Sequence, residues 1–330
     1  MSIDVLAAGM LTTVQDGGRR FHAALGVGGA GAMDTVALRL ANLLVGNADD
    51  AAALEITLRG PRLRFRQDAL IAITGADIDA RCDDVALPAW RPLAVRAGTQ
   101  ILFGSMRRGA RSYLAVAGGI GGTPVLGSRS ADVNAGIGGC ALVAGNELPC
   151  AKARKKTNAL WRQLDGHGGA IAATSWQLDP RPWFDPDHAH PIRLVAGAHF
   201  PQLDNAAQRA LFATDFAVGS ASNRVGYRLE GGSLALRESL ELISEGVVPG
   251  TMQLPPGGTP IVLMAEAPTC GGYPRIAQVI GVDLPRLAQR RPGDHVRFAE
   301  TSLADAQTRY LERERALRKI RRYVMERMNA

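Results

Sequence analysis

The stretch AALEITLRGPRLRF, residues 52–65, decides the fold class. It holds two short apolar or alternating runs, ALEITL and RLRF, separated by a glycine–proline pair, and runs bounded in this way are typical of β-strands. The pattern continues along the chain with LIAITG, DIDARC, VRAG, QILFG, RRGARS and YLAVAGG. Short strands at such regular spacing favour a closed or strongly curved β structure over alternating strands and helices.

Helical periodicity is confined to a few segments. The stretch DTVALRLANLLVG, residues 34–46, has Asp34 placed to cap its start, Gly46 placed to end it, and aliphatic residues at helical spacing between them. LDNAAQRALFA, residues 203–213, predicts a shorter helix. The sequence therefore predicts a mainly β protein with a few helices, of the α+β class.

Composition divides the chain into four segments. Residues 1–150 and 191–300 are rich in short strands and predict two lobes, whereas 151–190 contains GHGG and DPRPWFDPDHAHP and predicts a linker or long loop. Residues 301–330 predict a basic C-terminal helix. RAGTQILF (96–103) and RPGDHVRF (291–298) share a spacing that fits either a duplicated module or a recurring turn followed by a strand.

The composition is that of a turn-rich globular protein of 330 residues with a formal charge of +7. No apolar run approaches the roughly 20 residues of a membrane span, and the start MSIDVLAAGM lacks the pattern of a signal peptide. The four cysteines show no CxxC spacing, which predicts reduced thiols in a cytoplasmic protein without structural zinc. Much of the positive charge lies in KARKK (152–156) and the tail, but interleaved glutamates and the lack of a recognition motif argue against nucleic acid as a partner.

Lysine is scarce, with Lys152, Lys155, Lys156 and Lys319 as the whole set. None follows a glycine, so the chain has no Gly-Lys-Ser/Thr phosphate-binding loop. None lies in a predicted lobe, where it could serve as a Schiff-base nucleophile or a biotin attachment site. If the reaction uses ATP or biotin, we expect another polypeptide to bring it.

Polar residues concentrate in glycine-rich turns. Taken one at a time, each of these residues is also compatible with ordinary turn chemistry. Together they predict a polar, glycine-lined cleft for a small substrate with carboxylate, amide or ureido groups, because arginine forks and amide side chains suit such groups. The candidates are Gln15, Asp16, Arg19, Arg129, Asn223, Arg224, Tyr227, Arg228, Glu245, Gln253, Glu266, Thr269, Gly271, Gly272, Tyr273 and Arg275.

The stretch APTCGGYPRIAQVI, residues 267–280, leaves two interpretations of its paired glycines. Gly271 and Gly272 could supply positive φ in a turn, or they could let a substrate approach the backbone beside Thr269, Tyr273 and Arg275. Cys270 is expected to be a small buried thiol, because no histidine is near it in sequence.

Other chemistries are disfavoured by the sequence. His188 and His190 have no second ligand pair, so no metal site is predicted. GAGAM, residues 29–33, carries no complete dinucleotide fingerprint.

The chain resembles the KipA family, also called allophanate hydrolase subunit 2 or the biotin-dependent carboxyltransferase family, which includes the C-type subunit of 5-oxoprolinase. The resemblance covers roughly residues 3–148 and 192–300. Its carriers are TVQDGGR (13–19), GAMD (31–34), LRLANLLVGN (38–47), AALEITLRGPRLRF (52–65), ITGAD (73–77), RSYLAVAGGI (111–120), LGSRS (126–130), SNRVGYRLEG (222–231), SEGVVPGTMQ (244–253) and GGYPRIAQVI (271–280).

The resemblance implies two cyclophilin-like β-barrel lobes and an obligate partner protein of the KipI type, with the active site formed where the two meet. It implies one of two activities. The first is ATP-dependent opening of 5-oxoproline to glutamate with a third protein of the LamB/YcsF type. The second is carboxyl transfer from biotin carried by a partner protein to urea or a related nitrogen compound. A third hypothesis is a regulator that sequesters a KipI-like kinase inhibitor without turnover.

On the 5-oxoprolinase hypothesis, we expect Arg224 and Arg275 to hold a carboxylate or a phosphorylated intermediate. Tyr227 and Tyr273 would donate hydrogen bonds, and Glu245 or Glu266 would move protons or position water.

The sequence departs from the family pattern at two places. Gly28 and Ala30 replace a proline and a serine, which predicts a more mobile loop. Glu266, Pro268 and Cys270 replace Asp, Gln and Thr, which could change the substrate.

Overall fold

The computed structural model describes residues 1–153, 155–165 and 169–328. Arg154 in the basic run and 166–168 of GHGG therefore lie outside the described residues. The chain forms two compact units, neither of which is continuous in sequence. The first comprises Met1–Gly18, Asp34–Pro186 and Leu317–Ala330, and the second comprises Arg19–Met33 and Asp187–Ala316.

The first unit is built on one strongly curved sheet. Its strands are β1 (Ser2–Ala7), β2 (Leu11–Gln15), β3 (Ala53–Thr57), β4 (Arg62–Phe65), β5 (Ala69–Cys82), β6 (Val85–Ala86), β7 (Pro92–Val95), β8 (Gln100–Val116), β9 (Glu147–Pro149) and β10 (Ile171–Ala173). The main path through the sheet is β10-β7-β5-β8-β4-β1-β9, and β2 joins through β3, which also pairs with β8.

The curvature comes from the long strands β5 and β8. β8 pairs with β4 through its first residues, with β5 along most of its length, and with β3 through residues 111–114. The β5–β8 register shifts repeatedly between Gly75 and Ala80. Bulges of this kind bend the strands and increase their twist, so one pair of strands can run around much of a barrel.

Helix α1 (Thr35–Leu44) covers part of this sheet. The Asp34 carboxylate accepts a hydrogen bond from Ala37 N at 2.9 Å, which is the predicted N-cap. Thr74 on β5 donates to the Ala37 carbonyl at 2.7 Å. The first eight residues of β5 are all buried. One face of the strand packs in the core, and α1 packs against this first part of the strand.

The second unit contains an eight-stranded sheet and a separate two-stranded ribbon. Its strands are β11 (Ile192–Ala196), β12 (Phe216–Val218), β13 (Gly226–Glu230), β14 (Glu245–Gly246), β15 (Thr251–Gln253), β16 (Ile261–Leu263), β17 (Cys270–Gly271), β18 (Arg275–Val279), β19 (His295–Val296) and β20 (Phe298–Glu300). The sheet order is β19-β12-β13-β16-β15-β18-β11-β20, and β14 pairs with β17 in the ribbon.

The second sheet closes on itself through a single residue. β19 and β20 stand at opposite ends of the strand order, yet they are separated in sequence by Arg297 alone. β19 pairs with β12, and β20 pairs in parallel with β11. Both edges therefore bind one short length of chain, and the sheet has the topology of a barrel.

Each unit has its own apolar core. In the first unit the core is formed by inward-facing residues of the curved sheet, among them Ile3, Phe65 and Phe103, all fully buried. In the second unit Phe216, Met252 and Ile276 are fully buried, and Met33 from the early segment packs in the same core. The prediction of a mainly β protein with two strand-rich lobes and a few helices is confirmed.

The remaining helices are α2 (Lys155–Asp165), α3 (Asn205–Ala213), α4 (Leu284–Ala288) and α5 (Leu303–Arg327). The C-terminal helix is confirmed over its described residues. The segment predicted as a linker, 151–190, contains α2 and β10, because Leu160 and Leu164 bury one helix face and β10 pairs with the edge of β7.

Candidate functional site

Four of the predicted residues form a closed set of contacts in the second unit, which we name the ribbon cluster: Glu245, Gln253, Gly271 and Arg275. Glu245 lies opposite Gly271 in the β14–β17 ribbon, and Gln253 lies opposite Arg275 in the β15–β18 pair. The Arg275 Nη2 atom donates to Glu245 Oε2. Gly271 packs against the Gln253 amide, so each member contacts the next around the set.

Gly271 lies close to the end of the Gln253 side chain. A Cβ atom added there would lie 2.6 Å from Gln253 Nε2, inside the contact limit. Neither Gly271 nor Gly272 has a positive φ. The turn interpretation of these glycines is therefore wrong, because the backbone is in ordinary conformations at both positions, and the missing side chain at 271 makes room for the glutamine.

Two N–H donors of the ribbon cluster have no acceptor among the described residues. They are Nε2 of Gln253, a residue that is 5% exposed, and Nε of Arg275. Buried donors of this kind are rare in folded proteins, because leaving one unsatisfied costs about 1–3 kcal/mol. The two belong to residues that lie opposite each other in one strand pair.

His199 holds the backbone of Arg275, a contact that the sequence analysis did not predict. Arg275 N donates to His199 Nδ1 at 3.1 Å, and His199 N donates to the Arg275 carbonyl at 3.0 Å. Because Nδ1 accepts, the neutral ring carries its proton on Nε2. The imidazole therefore has a defined tautomer and fixes the position of the strand residue that supplies the guanidinium.

The other predicted residues of the GGY stretch surround the ribbon. The Thr269 carbonyl accepts from Val247 N at 3.1 Å and extends the pairing of β14 with β17. Tyr273 is 46% exposed. Cys270 is exposed on β17, so the expectation of a buried thiol is wrong, because the ribbon lies at the surface of the unit.

Arg224 and Glu266 form a buried ion pair. Arg224 Nε donates to Glu266 Oε1 at 2.6 Å, and Arg224 Nη2 donates to the Gly31 carbonyl at 2.7 Å. Removing one partner from such a pair leaves an uncompensated buried charge. These bonds tie the segment Arg19–Met33 to the rest of the second unit, and the catalytic roles assigned to the two side chains stay predictions.

The remaining candidates around β13 make local structural contacts. Asn223 Oδ1 accepts from Val225 N at 2.8 Å and closes a turn. The buried Tyr227 hydroxyl donates to the Arg290 carbonyl at 3.2 Å. Arg228 is exposed. Arg19, in the early segment of the same unit, is buried, and its backbone N–H donates to the Gly29 carbonyl at 2.6 Å.

In the first unit, Asp16 anchors the turn that contains Arg129. Its carboxylate accepts from the Ser128 and Ser130 hydroxyls and from Arg129 N, each at 2.6 Å, and from Gly18 N at 2.8 Å. Burial raises the pKa of Asp16, but these four hydrogen bonds together outweigh it and leave the pKa below its ordinary value. A carboxylate engaged in this way is suited to holding a loop.

Gln15 and Arg129 continue this arrangement. Gln15 Nε2 donates to Thr13 Oγ1 at 3.0 Å and to the Ala131 carbonyl at 2.8 Å. Arg129 Nε donates to the Gly122 carbonyl at 2.9 Å. The structure thus brings Gln15, Asp16 and Arg129 together through β2 and the turn 127–130.

A second buried polar set in the first unit was missed by sequence reasoning. The Tyr113 hydroxyl donates to Glu55 Oε2 at 2.7 Å and accepts from Asp34 N at 2.7 Å. Burial, followed by the nearby charge of Glu55, raises the pKa of Tyr113 well above its ordinary value. Glu55 on β3 and Tyr113 on β8 both occur in strand-like sequence patterns. Neither pattern indicates that the Glu55 carboxylate is buried against Tyr113.

Among the residues that the structure describes, no group of three or more His, Cys, Asp or Glu side chains is placed to hold a metal ion. None of the described helices is long and apolar enough to cross a membrane. The four cysteines are unpaired.

Comparison with known protein families identifies the chain. The family described as carboxyltransferase domain, subdomain A and B, matches residues 25–300. The chain belongs to this family. The resemblance stated from the sequence motifs is thereby confirmed.

Curated relatives of this carboxyltransferase domain fall into two groups. In the first, the C-type subunit of 5-oxoprolinase from Escherichia coli is 41% identical over 94% of this chain and 96% of that protein. The corresponding protein of Haemophilus influenzae is 36% identical over 98% and 99%. In the second, a putative urea carboxylase of Emericella nidulans is 33% identical over 92% of this chain but only 24% of that protein.

Solved structures of the family share the fold. The crystal structure of TTHA0988 superposes with a TM-score of 0.76 at 32% identity and covers 90% of this chain and 55% of that chain. The Kluyveromyces lactis urea amidolyase superposes with a TM-score of 0.80 at 26% identity over 96% of this chain and 20% of that chain. In both structures, the matching region is part of a longer polypeptide.

Proposed function

We propose that this chain is one component of a multi-subunit, ATP-dependent 5-oxoprolinase that opens 5-oxoproline to glutamate. The observation that carries the proposal is the match to two C-type subunits of 5-oxoprolinase over nearly the whole length of both chains, at 41% and 36% identity. The urea enzymes match over a fraction of their length, so those relatives resemble this chain in one region of a larger protein.

The ribbon cluster has the groups that such a reaction needs. Ring opening adds water to the lactam carbonyl carbon, breaks the carbon–nitrogen bond and places a proton on the nitrogen. In this proposal Arg275 and Gln253 donate hydrogen bonds to the substrate, and the half-exposed Glu245 carboxylate orients the water or takes its proton.

ATP is assigned to the partner proteins. The chain has no Gly-Lys-Ser/Thr sequence, and its four lysines lie at 152, 155, 156 and 319, away from the ribbon cluster in sequence. We propose a KipI-type protein as the obligate partner, with which the active site is shared, and a LamB/YcsF-type protein as the third component. Four unpaired cysteines fit assembly in the cytoplasm, where thiols stay reduced.

A reconstituted assay tests the proposal. The chain is mixed with its two companion proteins, ATP and 5-oxoproline, and glutamate and ADP are measured, with each protein omitted in turn. We expect glutamate formation that requires this chain and matches ADP release. No glutamate from the complete mixture, with ATP intact, would refute it.

The second candidate function is that of a carboxyltransferase, which moves a carboxyl group from carboxybiotin on a partner protein to urea or a related nitrogen compound. The family match and the 33% identity to a putative urea carboxylase favour it. No lysine lies in the strand-rich segments to carry biotin, so the carrier would be another protein. Activity that depends on a biotin carrier and is abolished by avidin would select this function over the first.

A further inference from the structure

The proposed function places a small amide or lactam at the ribbon cluster but does not say which atom of the substrate the cluster recognises. Two features of the cluster bear on that choice: the two N–H donors without an acceptor among the described residues, and the distribution of charge around them.

The two donors belong to residues of one strand pair. Gln253 lies opposite Arg275, at the point where the β15–β18 register shifts. Gln253 is 5% exposed, and Gly271 leaves the space into which its amide points, because any side chain at 271 would meet Nε2. The Arg275 backbone is fixed by His199 on both its N–H and its carbonyl. The Arg275 backbone is therefore held in place and burial restricts the Gln253 side chain, which lowers the conformational entropy that both residues lose on binding.

The charge at the cluster is already balanced. Arg275 is paired with Glu245 through Nη2, and Gln253 is neutral. A bound carboxylate would meet the Glu245 charge at short range, whereas a neutral carbonyl oxygen would accept both hydrogen bonds without that repulsion. As the carbonyl carbon is attacked, negative charge develops on the same oxygen, where the two donors stabilise it.

We propose that Gln253 Nε2 and Arg275 Nε bind the carbonyl oxygen of an amide, lactam or ureido substrate, and that Gly271 keeps the space for the glutamine amide. The proposal rests on the proposed function, in that it takes the ligand to be a small amide. It assigns the substrate carboxylate, where there is one, to another part of the active site.

Three probes separate the two ligand chemistries. Pyrrolidinone has the lactam carbonyl without a carboxylate, cyclopentanecarboxylate has the carboxylate without the lactam, and 5-oxoproline has both. Each is titrated into the isotope-labelled full chain, both alone and with its unlabelled partner proteins, and the side-chain amide signals of Gln253 are followed by NMR. The signals are assigned by their loss in Gln253→Met.

The amide of Gln278 is the internal control. It lies on the same strand pair, but Nε2 donates to the Pro249 carbonyl at 3.0 Å and Oε1 accepts from Thr251 Oγ1 at 3.0 Å. Its signals report general effects of each probe on this part of the sheet.

We expect pyrrolidinone and 5-oxoproline to shift the Gln253 signals, cyclopentanecarboxylate to leave them in place, and none of the probes to move those of Gln278. Gln253→Met should bind pyrrolidinone at least tenfold more weakly. A shift with cyclopentanecarboxylate and not with pyrrolidinone, or no shift with any probe, would overturn the proposal. The readout is independent of turnover, so a carbonyl site that binds pyrrolidinone in a chain that forms no glutamate would refute the proposed function alone.

Discussion

Replacing Gln253 with methionine should make the free protein more stable while it removes the proposed substrate contact. Methionine has nearly the same length and volume and no polar atoms to satisfy, so the packing cost of such a swap is small. The gain comes from Nε2, a buried donor without an acceptor among the described residues. Relieving one such donor is worth about 1–3 kcal/mol. For a cooperative unit of roughly 150 residues, 1 kcal/mol corresponds to a rise of about 2–4 °C in Tm.

The matched control is Gln278→Met on the same pair of strands. The amide of Gln278 is bonded on both sides, to the Pro249 carbonyl and to Thr251 Oγ1. Removing it leaves those groups without their partner, so the same substitution should lower the free energy of unfolding by about 1–2 kcal/mol. The two variants are thus expected to differ in sign.

Thermal unfolding followed by circular dichroism, with urea titration as a second measure, gives both values. The reconstituted assay gives the activity, which should fall about 100-fold or more in Gln253→Met if its donor stabilises charge in the transition state. If Gln253→Met is destabilised as much as Gln278→Met, the Gln253 amide is bonded within the protein and the reasoning fails.

The remaining predictions concern the surroundings of the ribbon cluster and one distant carboxylate. Gly271→Ala should displace the Gln253 amide and reduce activity about tenfold or more. Gly246→Ala is the control on the facing strand; a Cβ there would meet nothing within 4 Å, so activity should stay unchanged. Equal activities of the two variants would show that the close approach is not needed. His199→Leu should lower kcat/KM, because it leaves the backbone N–H of Arg275 without its acceptor. His199→Asn keeps an acceptor near the Nδ1 position and should recover most of this loss. A decrease of the same size in both variants would contradict the role of His199. The pKa of Asp16 is lower in the folded protein, so its charged form adds stability above a pH of about 4 that is lost as the pH falls through the folded pKa. Asp16→Asn should therefore destabilise the protein at neutral pH, with a deficit that shrinks in urea titrations at decreasing pH; a constant deficit would mean that the carboxylate charge is irrelevant.

Local signals in the sequence predicted local structure well. Asp34 caps α1 as its position in the motif indicated. The echo between 96–103 and 291–298 marks the same turn in both units: Gly98 and Gly293 have φ of 83° and 88°, and in each turn the residue after the glycine donates to the carbonyl of the arginine two residues before the glycine. The physical requirements here lie within a few residues, so they are visible in the sequence.

The roles of the candidate residues depended on partners far away in the chain. Asp16 was predicted as a site residue because it is polar and lies beside two glycines. In the structure its carboxylate holds the turn at 128–130, and nothing in the sequence near residue 16 indicates these partners. Gly271 was predicted to supply a positive φ or to allow a close approach, but nothing in the sequence shows that the approaching side chain is Gln253 of another strand. His199 stood outside every motif, and its importance comes from a backbone N–H 76 residues away in sequence.

The closure of the second sheet through Arg297 has a consequence for how the chain is made. The strands β19 and β20, which seal both edges, are synthesised after every other strand of this sheet. Until residue 300 has left the ribosome, the nascent polypeptide carries β11 and β12 with unpaired edges, which are templates for aggregation. A chain truncated before residue 295 would leave both edges of this sheet unpaired, so we expect residues 295–300 to decide whether the second unit folds or aggregates.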